Sequence, residues 1–168
     1  KNRLEKGLKE ADLILVSGGS SVGERDLMVD VINSIKGKVI FHGLALRPGA
    51  PTGLFLVKDK LIFSLPGYPV SSMVAFDAIV KPCIYKIMKA IPNREKKIKV
   101  KMAKRVPTIG GLRSYVRVKL VDSDLAEPIR IFGAGIISSL AKADGIIIVP
   151  EDKEGIEEGE EVEVILLR

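Results

Sequence analysis

The sequence has no tryptophan, and Cys83 and His42 are the single cysteine and histidine among its 168 residues. One cysteine excludes an intrachain disulfide and a Cys-x-x-Cys redox pair, and the two residues together are too few for a usual zinc site. A histidine-assisted nucleophile also has few candidates. We interpret His42 as a hydrogen-bonding group at a strand end and Cys83 as a core residue. Any chemistry must then rest on carboxylates, backbone amides, lysines, arginines, hydroxyls or a hard metal ion.

Long hydrophobic runs are also missing. The longest apolar runs, such as Leu13–Val16 and Ile146–Val149, have four residues, whereas a helix that spans a membrane needs about 20. The opening stretch Lys1–Leu8 is polar, unlike the apolar region of a signal peptide. We therefore expect a cytoplasmic protein with no membrane partner.

Positive charge is abundant, because the formal net charge is +6, but aromatic residues are scarce where this charge concentrates. The range 94–119 holds ten basic residues and one acidic residue, and Tyr115 is its single aromatic. Without aromatic side chains between the charges, no platform for stacking bases is present. We expect no nucleic-acid partner and interpret the range as a solvated strand face opposite the acidic range 144–163.

Residues 1–92 alternate strand and helix patterns, which indicates an α/β layered domain with a largely parallel sheet. Leu27, Val31 and Ile35 lie on one face of a predicted helix. The range 70–90 predicts a long apolar helix with a kink at Pro82. The other predicted elements are strands at Leu13–Val16 and Lys38–Phe41, a loop at Leu44–Gly53, and a hairpin of Leu54–Val57 with Leu61–Leu65.

Residues 93–168 have a different pattern, in which short alternating segments are separated by glycine-containing connectors. These segments predict a small antiparallel barrel or sandwich. The strands are expected at Ile98–Met102, Tyr115–Val121, Ile129–Phe132, Ile146–Val149 and Val162–Leu167. The polar, proline-containing link at Pro92–Glu95 sets the domain boundary.

Two segments, Ser17–Asp26 and Leu65–Ser72, combine a strand end, a glycine-rich turn and a helix start. Ligands of parallel α/β sheets bind beyond the carboxyl ends of the strands. Glycines let the backbone approach an anion, and a helix N-terminus offers unpaired amides. Neither segment has the P-loop pattern. From spacing alone, a phosphate or other oxyanion site and a pair of structural turns stay equally open.

Three side chains in these loops have two interpretations each. Asp26 is either a helix N-cap or a carboxylate that holds Mg²⁺ against substrate phosphates. Ser21 is either a turn hydroxyl or an anion contact. Arg47, in the segment Leu46–Gly53, is either an oxyanion clamp or a surface residue beside a rigid turn.

The order and spacing of the loops resemble the molybdopterin molybdenumtransferase family, which includes MoeA and the gephyrin E domain. The resemblance rests on several segments: SGGxSxGxxD at 17–26, LAxRPGxP at 44–51, LPGxPVS at 65–71, YVRV at 115–118 and GAGIISSLAKADG at 133–145, with the end of the chain. It implies a partial three-layer molybdopterin-binding α/β domain with a mostly parallel sheet at 1–92, and a small C-terminal β-barrel at 93–168.

The resemblance also implies a reaction. Members of the family insert molybdate into adenylylated molybdopterin, with Mg²⁺-dependent release of AMP. It assigns catalysis to Asp26 and Arg47 and the magnesium to Asp26. The implied substrate-binding residues are Ser17, Gly18, Gly19, Ser21, Gly23, Pro48, Gly49, Pro51, Pro66, Gly67, Pro69, Ser71 and Arg117, with Ser138 and Ser139 flanking a further serine position.

Departures from the family keep other functions open. Many members have lysine where this chain has Ala50, and active members tend to have asparagine at Tyr68. The chain also starts within a helical stretch, so we expect it to be part of a longer protein that forms a homodimer and to be inactive alone. The alternatives are a non-catalytic pterin-binding or scaffold module, and a molybdopterin adenylyltransferase, although the latter lacks a C-terminal barrel.

Overall fold

The structure is a computed structural model that describes residues 2–18, 27–129 and 137–167. It contains a four-stranded sheet with helices and a five-stranded barrel. The first part consists of α1 (Asn2–Glu10), β1 (Leu13–Ser17), α2 (Leu27–Ser34), β2 (Lys38–His42), β3 (Leu46–Arg47), β4 (Gly53–Val57), β5 (Lys60–Leu65), α3 (Pro69–Ala75) and α4 (Lys81–Met88). The second part consists of β6 (Lys97–Met102), β7 (Val106–Pro107), β8 (Arg113–Asp122), β9 (Leu125–Pro128), α5 (Ile137–Ala141), β10 (Gly145–Val149), β11 (Gly155–Ile156) and β12 (Glu161–Leu166).

The four-stranded sheet has the order β1-β5-β4-β2. Strand β1 runs parallel to β5, and β4 is antiparallel to both of its neighbours. Three of the four strands therefore point in one direction, but only the β1–β5 pair is parallel, so the described sheet is mixed. The predicted α/β class is confirmed. The reversed strand, β4, belongs to the predicted hairpin, whose turn residues Lys58 and Asp59 have positive φ angles.

Helices cover both faces of this sheet and form three layers. On one face, Phe55 and Ile62 are fully buried against α1 and α2. On the other face, Phe63 packs in a second cluster with Ala75 and Val80. The alternation of buried side chains along β4 and β5 produces this division, because successive residues of a strand point to opposite faces.

The predicted helix over 70–90 is observed as three consecutive helical segments. A π-helical turn, Phe76–Val80, separates α3 from α4. Pro82 lies in the first turn of α4, where its missing N–H removes the least hydrogen bonding. The helix ends at Met88, followed by Lys89 in the left-handed conformation. A kink was predicted at Pro82, and the observed irregularity, the π-helical turn, lies just before this residue.

The second part is a closed barrel rather than a sandwich. Strands β12, β6, β9, β8 and β10 pair in that order, and β10 pairs again with β12. The fully buried side chains in its core include Val100, Met102, Val118 and Val164. The strand predicted at Ile129–Phe132 is wrong at Ile129, because the observed strand β9 ends at Pro128 and Ile129 follows it. A tight turn after Asp122 sets the pairing register of β8 with β9, which places Ala126 in the core. Residues 130–132 lie outside the described part of the chain.

The segment Leu44–Gly53, predicted as a loop, contains the short strand β3. This strand pairs in parallel with β8 of the barrel, with Leu46 opposite Arg113 and Arg47 opposite Ser114. The Arg113 amide also donates to the Ala45 carbonyl at 3.0 Å. The α/β part therefore contributes a strand to the barrel sheet, which joins the two parts beside Arg47.

Ion pairs confirm that the basic range faces an acidic strand. Lys97 and Glu163 lie 2.8 Å apart, and Lys99 and Glu161 lie 3.1 Å apart across β6 and β12. The hydrogen bond from Lys97 to Glu163 raises the pKa of this lysine. No described helix is long and apolar enough to cross a membrane.

Candidate functional site

A cleft of about 590 Å³ opens where the α/β part meets the barrel. Its walls are the turn after β3, the first turn of α3, and residues of β7, of β8 and of the segment between these two strands. Arg47 enters from the end of β3, Ser71 from α3 and Arg117 from β8. Two separate sequence regions therefore supply the two arginines of the described cleft lining.

The described starts of the two glycine-rich segments, Ser17–Gly18 and Leu65–Gly67, lie side by side at the carboxyl ends of β1 and β5. Ser17 pairs in register with Leu65, and the Gly18 amide donates to the Leu65 carbonyl at 3.3 Å. A Cβ atom on Gly67 would lie 3.6 Å from the Gly18 Cα. The parallel pairing of β1 with β5 thus brings together the starts of two segments that are far apart in the sequence, at the edge where parallel α/β sheets commonly bind ligands.

The third loop packs onto the helix that follows these turns. Ser71 is buried in the first turn of α3, and a Cβ atom on Gly49 would lie 3.6 Å from its carbonyl oxygen. Gly49 has a φ angle of +125°, a conformation that favours glycine. The Arg47–Pro48 peptide bond is cis. The turn after β3 therefore lies directly against the N-terminal turn of α3.

Arg117 is the unusual group in the cleft. Its Nε and Nη1 atoms are buried and have no hydrogen-bond partner among the described residues. Burial lowers the pKa of the Arg117 guanidinium, but an arginine stays charged at neutral pH. Unpaired buried donors are costly, so this side chain is suited to receive an anion.

The rest of the lining favours negative ligands. Arg47 is exposed and forms no ion pair with any described residue. No aspartate or glutamate is among the described residues that line the cleft. Burial raises the pKa of the Tyr115 phenol, so this lining residue stays neutral. The cleft therefore presents two guanidinium groups and hydroxyls with no opposing carboxylate in its described part.

The predicted site residues fall into four groups. The cleft brings together Arg47, Pro48, Gly49, Pro51, Ser71 and Arg117. At or next to the adjacent strand ends lie Ser17, Gly18, Pro66, Gly67 and Pro69. Ser138 and Ser139 lie in α5, which packs beside α3, with Ser138 exposed and Ser139 buried. Gly19, Ser21, Gly23 and Asp26 lie outside the described residues.

Two cleft features did not follow from sequence patterns. Ser114 is buried, lines the cleft and pairs with Arg47 in register, and its proximity to the YVRV segment is the single sequence signal for it. Thr52 is fully buried beneath the turn after β3.

Two residues were interpreted as structural. Cys83 packs against the core cluster of Phe63, as predicted, and His42 lies at the end of β2.

Both parts of the chain match known protein families. Residues 1–86 match the family described as a probable molybdopterin binding domain. The chain belongs to this family. Residues 99–167 match the MoeA C-terminal region, domain IV. The boundary predicted between residues 92 and 93 falls between the two matched ranges.

Individual relatives cover the whole chain. A Methanocaldococcus jannaschii protein named for molybdopterin biosynthesis is 41% identical over 168 residues, which are 100% of this chain and 39% of the relative. The molybdopterin molybdenumtransferase of Bacillus subtilis is 29% identical, over 98% of this chain and 39% of its own length.

Solved structures share the fold. The crystal structure of a MoeA protein from Pyrococcus horikoshii matches with a TM-score of 0.79 and 36% identity, over 98% of this chain and 39% of that one. A molybdenum cofactor biosynthesis protein from Pyrococcus furiosus matches with a TM-score of 0.76 and 34% identity, over 98% of this chain and 52% of that one. The chain spans about two fifths of the length of its curated relatives.

Proposed function

We propose that this chain binds molybdate and the pterin substrate in a molybdopterin molybdenumtransferase. The full protein would insert molybdate into adenylylated molybdopterin and release AMP. The observation that carries this proposal is the half-buried guanidinium of Arg117, whose buried Nε and Nη1 atoms have no partner among the described residues and which lies in one cleft with Arg47. Family membership supplies the substrate class.

The cleft residues fit an oxyanion such as molybdate. Arginine donates several N–H groups in a fixed plane and binds oxyanions well. Ser71 and Ser114 add hydroxyl groups in the same lining. We assign the molybdate to the two arginines and the pterin with its phosphates to the adjacent turns, where Gly18 and Gly67 permit a close approach of the backbone.

The described part of the chain gives less support for a magnesium site than for the oxyanion site. The described residues contain no group of three or more His, Cys, Asp or Glu side chains that could hold a metal ion. Mg²⁺ commonly binds one or two protein carboxylates and completes its shell with phosphate oxygens and water. We propose Asp26, outside the described residues, as its protein ligand. When bound, the ion would neutralise substrate phosphate charge.

The activity is tested with the full-length protein, adenylylated molybdopterin, Mg²⁺ and molybdate. We expect AMP release together with formation of the metal-loaded pterin, measured by chromatography. Asp26→Asn is expected to lower Mg²⁺-dependent AMP release at least a hundredfold, because the ion loses its charged ligand. Asp59→Asn is the control, since Asp59 lies in the exposed β4–β5 turn at a φ of 64° that asparagine also tolerates.

Two results would contradict these assignments. Unchanged Mg²⁺-dependent AMP release by Asp26→Asn would show that Asp26 does not hold the metal. A parent protein that binds the pterin but releases no AMP would favour the non-catalytic pterin-binding or scaffold alternative. The homodimer and the cytoplasmic location stay predictions.

A lysine at position 50 should strengthen molybdate binding. Ala50 is exposed in the cleft lining, and the family resemblance places a lysine there in many members. An exposed ammonium adds about 1 kcal/mol to an ionic contact, so we expect Ala50→Lys to lower the Kd for molybdate about fivefold. Isothermal titration calorimetry at low and high salt measures the gain, which salt should reduce. Ala50→Met is the uncharged control, and an equal gain from methionine would contradict the electrostatic explanation.

A further inference from the structure

The segment 43–52, which contains Arg47, is closed by backbone hydrogen bonds between its own residues. The Gly43 amide donates to the Thr52 carbonyl at 2.9 Å, which closes the base of the segment. The amides of Leu44 and Thr52 both donate to the Ala50 carbonyl, at 2.9 and 2.8 Å. The segment 43–52 therefore has a defined shape, although most of it lies outside regular secondary structure.

The side chain of Thr52 adds a further hydrogen bond within this segment. Thr52 is fully buried, and its hydroxyl donates to the Gly49 carbonyl at 2.6 Å. Gly49 itself fits tightly, because a Cβ atom there would lie 2.8 Å from the Leu46 Cδ2 atom. The Thr52 hydroxyl thus fixes the Gly49–Ala50 peptide, which begins two residues after Arg47.

Arg47 is also held on its other side. It pairs with Ser114 through β3 and β8, and Arg117 lies three residues further along β8. The strand pairing fixes the backbone before Pro48, and the Thr52 hydrogen bond fixes the backbone after it. Both constraints act on the backbone around Arg47, so they set where its exposed side chain begins relative to Arg117.

We propose that Thr52 is a positioning residue for the oxyanion cleft. It does not line the cleft itself, and it acts by holding Gly49 so that the turn presents Arg47 towards Arg117. This inference rests on the proposed function of the cleft. Removal of the hydroxyl leaves the Gly49 carbonyl without this donor and loosens the turn, with no change in charge. The expected consequence is weaker anion binding with the same two arginines present.

The test compares Thr52→Val with Thr52→Ser in the full-length protein, with molybdate alone as the titrant. Valine keeps the shape of threonine without its donor, whereas serine keeps the hydroxyl. We expect about a tenfold rise in Kd for Thr52→Val, the size of one hydrogen bond, and a change of less than twofold for Thr52→Ser. Ser64→Ala is the matched control, because Ser64 has a buried hydroxyl without a partner among the described residues and should bind like the parent.

Hydrogen exchange supplies a readout that does not depend on ligand. The Leu44 and Thr52 amides should exchange faster in Thr52→Val than in the parent and Thr52→Ser, because both donate within the turn. Parent-like affinity or parent-like exchange in Thr52→Val would overturn the proposal, as would an equal loss of affinity in Thr52→Ser. A parent that binds no molybdate would refute the proposed function and with it the anion-positioning role, while exchange would still decide whether Thr52 holds the turn.

Discussion

Replacement of Arg117 by methionine should raise the Kd for molybdate about ten- to a hundredfold and leave the protein at least as stable as the parent. The loss follows because charged hydrogen bonds contribute about 1.5–3 kcal/mol each, and the Nε and Nη1 donors have no described protein partner. The stability gain follows because methionine fills similar space without burying a charge, whose desolvation already lowers the pKa of Arg117.

Calorimetric titration and thermal unfolding of the full-length variants measure the two effects together. Arg113→Met is the matched control, because Arg113 lies on the same strand, is exposed, and pairs with Glu151 at 3.1 Å. It should bind molybdate nearly as the parent does. Arg117→Met with parent affinity would remove the basis of the oxyanion site, and a large loss of stability would show that Arg117 is structural.

Replacement of Gly145 by alanine should destabilise the barrel by about 3 kcal/mol, near the upper end of the usual overpacking cost. Gly145, like Ile146, pairs with both strands that flank β10, and its partners are Val118 of β8 and Leu166 of β12. An added Cβ would overlap the Val164 Cγ1 atom and lie 2.8 Å from the Ile165 carbonyl oxygen. One contact is with a fully buried side chain and the other with backbone, so relief requires β10 and β12 to separate.

The measurement is thermal unfolding by circular dichroism, in which 3 kcal/mol corresponds to about 6–12 °C for a chain of this size. Gly110→Ala is the control, since its Cβ would lie 3.4 Å from the flexible Glu154 side chain and should change the midpoint little. Equal midpoints for Gly145→Ala and Gly110→Ala would mean that the barrel closes without close β10–β12 contact at this position.

Local sequence patterns predicted most regular elements. The hairpin of β4 and β5 follows from two apolar segments on either side of Lys58-Asp59-Lys60, and the barrel strand β6 follows from strict alternation over Ile98–Met102. Such patterns are visible because side chains along a strand point alternately to its two faces, so alternating apolar residues mark the buried face. The family resemblance also supplied Arg47 and Arg117, which lie in one cleft.

Patterns failed where a distant partner determines the structure. Strand β3 has two residues, Leu46 and Arg47, and is stabilised by β8, whose partner residues begin at Arg113. The position of β9 likewise depends on a register that keeps Ala126 in the core. No local periodicity encodes a strand of this length or a register against another strand.

The sequence by itself determined the α/β alternation, the barrel strands and the loops that bear glycines and arginines. Only the tertiary structure decided that Arg47 and Arg117 share one cleft, that two guanidinium nitrogens of Arg117 are buried without a described partner, and that the Thr52 hydroxyl bonds within the turn between β3 and β4. The physical reason is that local periodicity records whether a residue faces the core. The partner of a buried polar group is set by which strands pair, and that depends on contacts between distant parts of the chain.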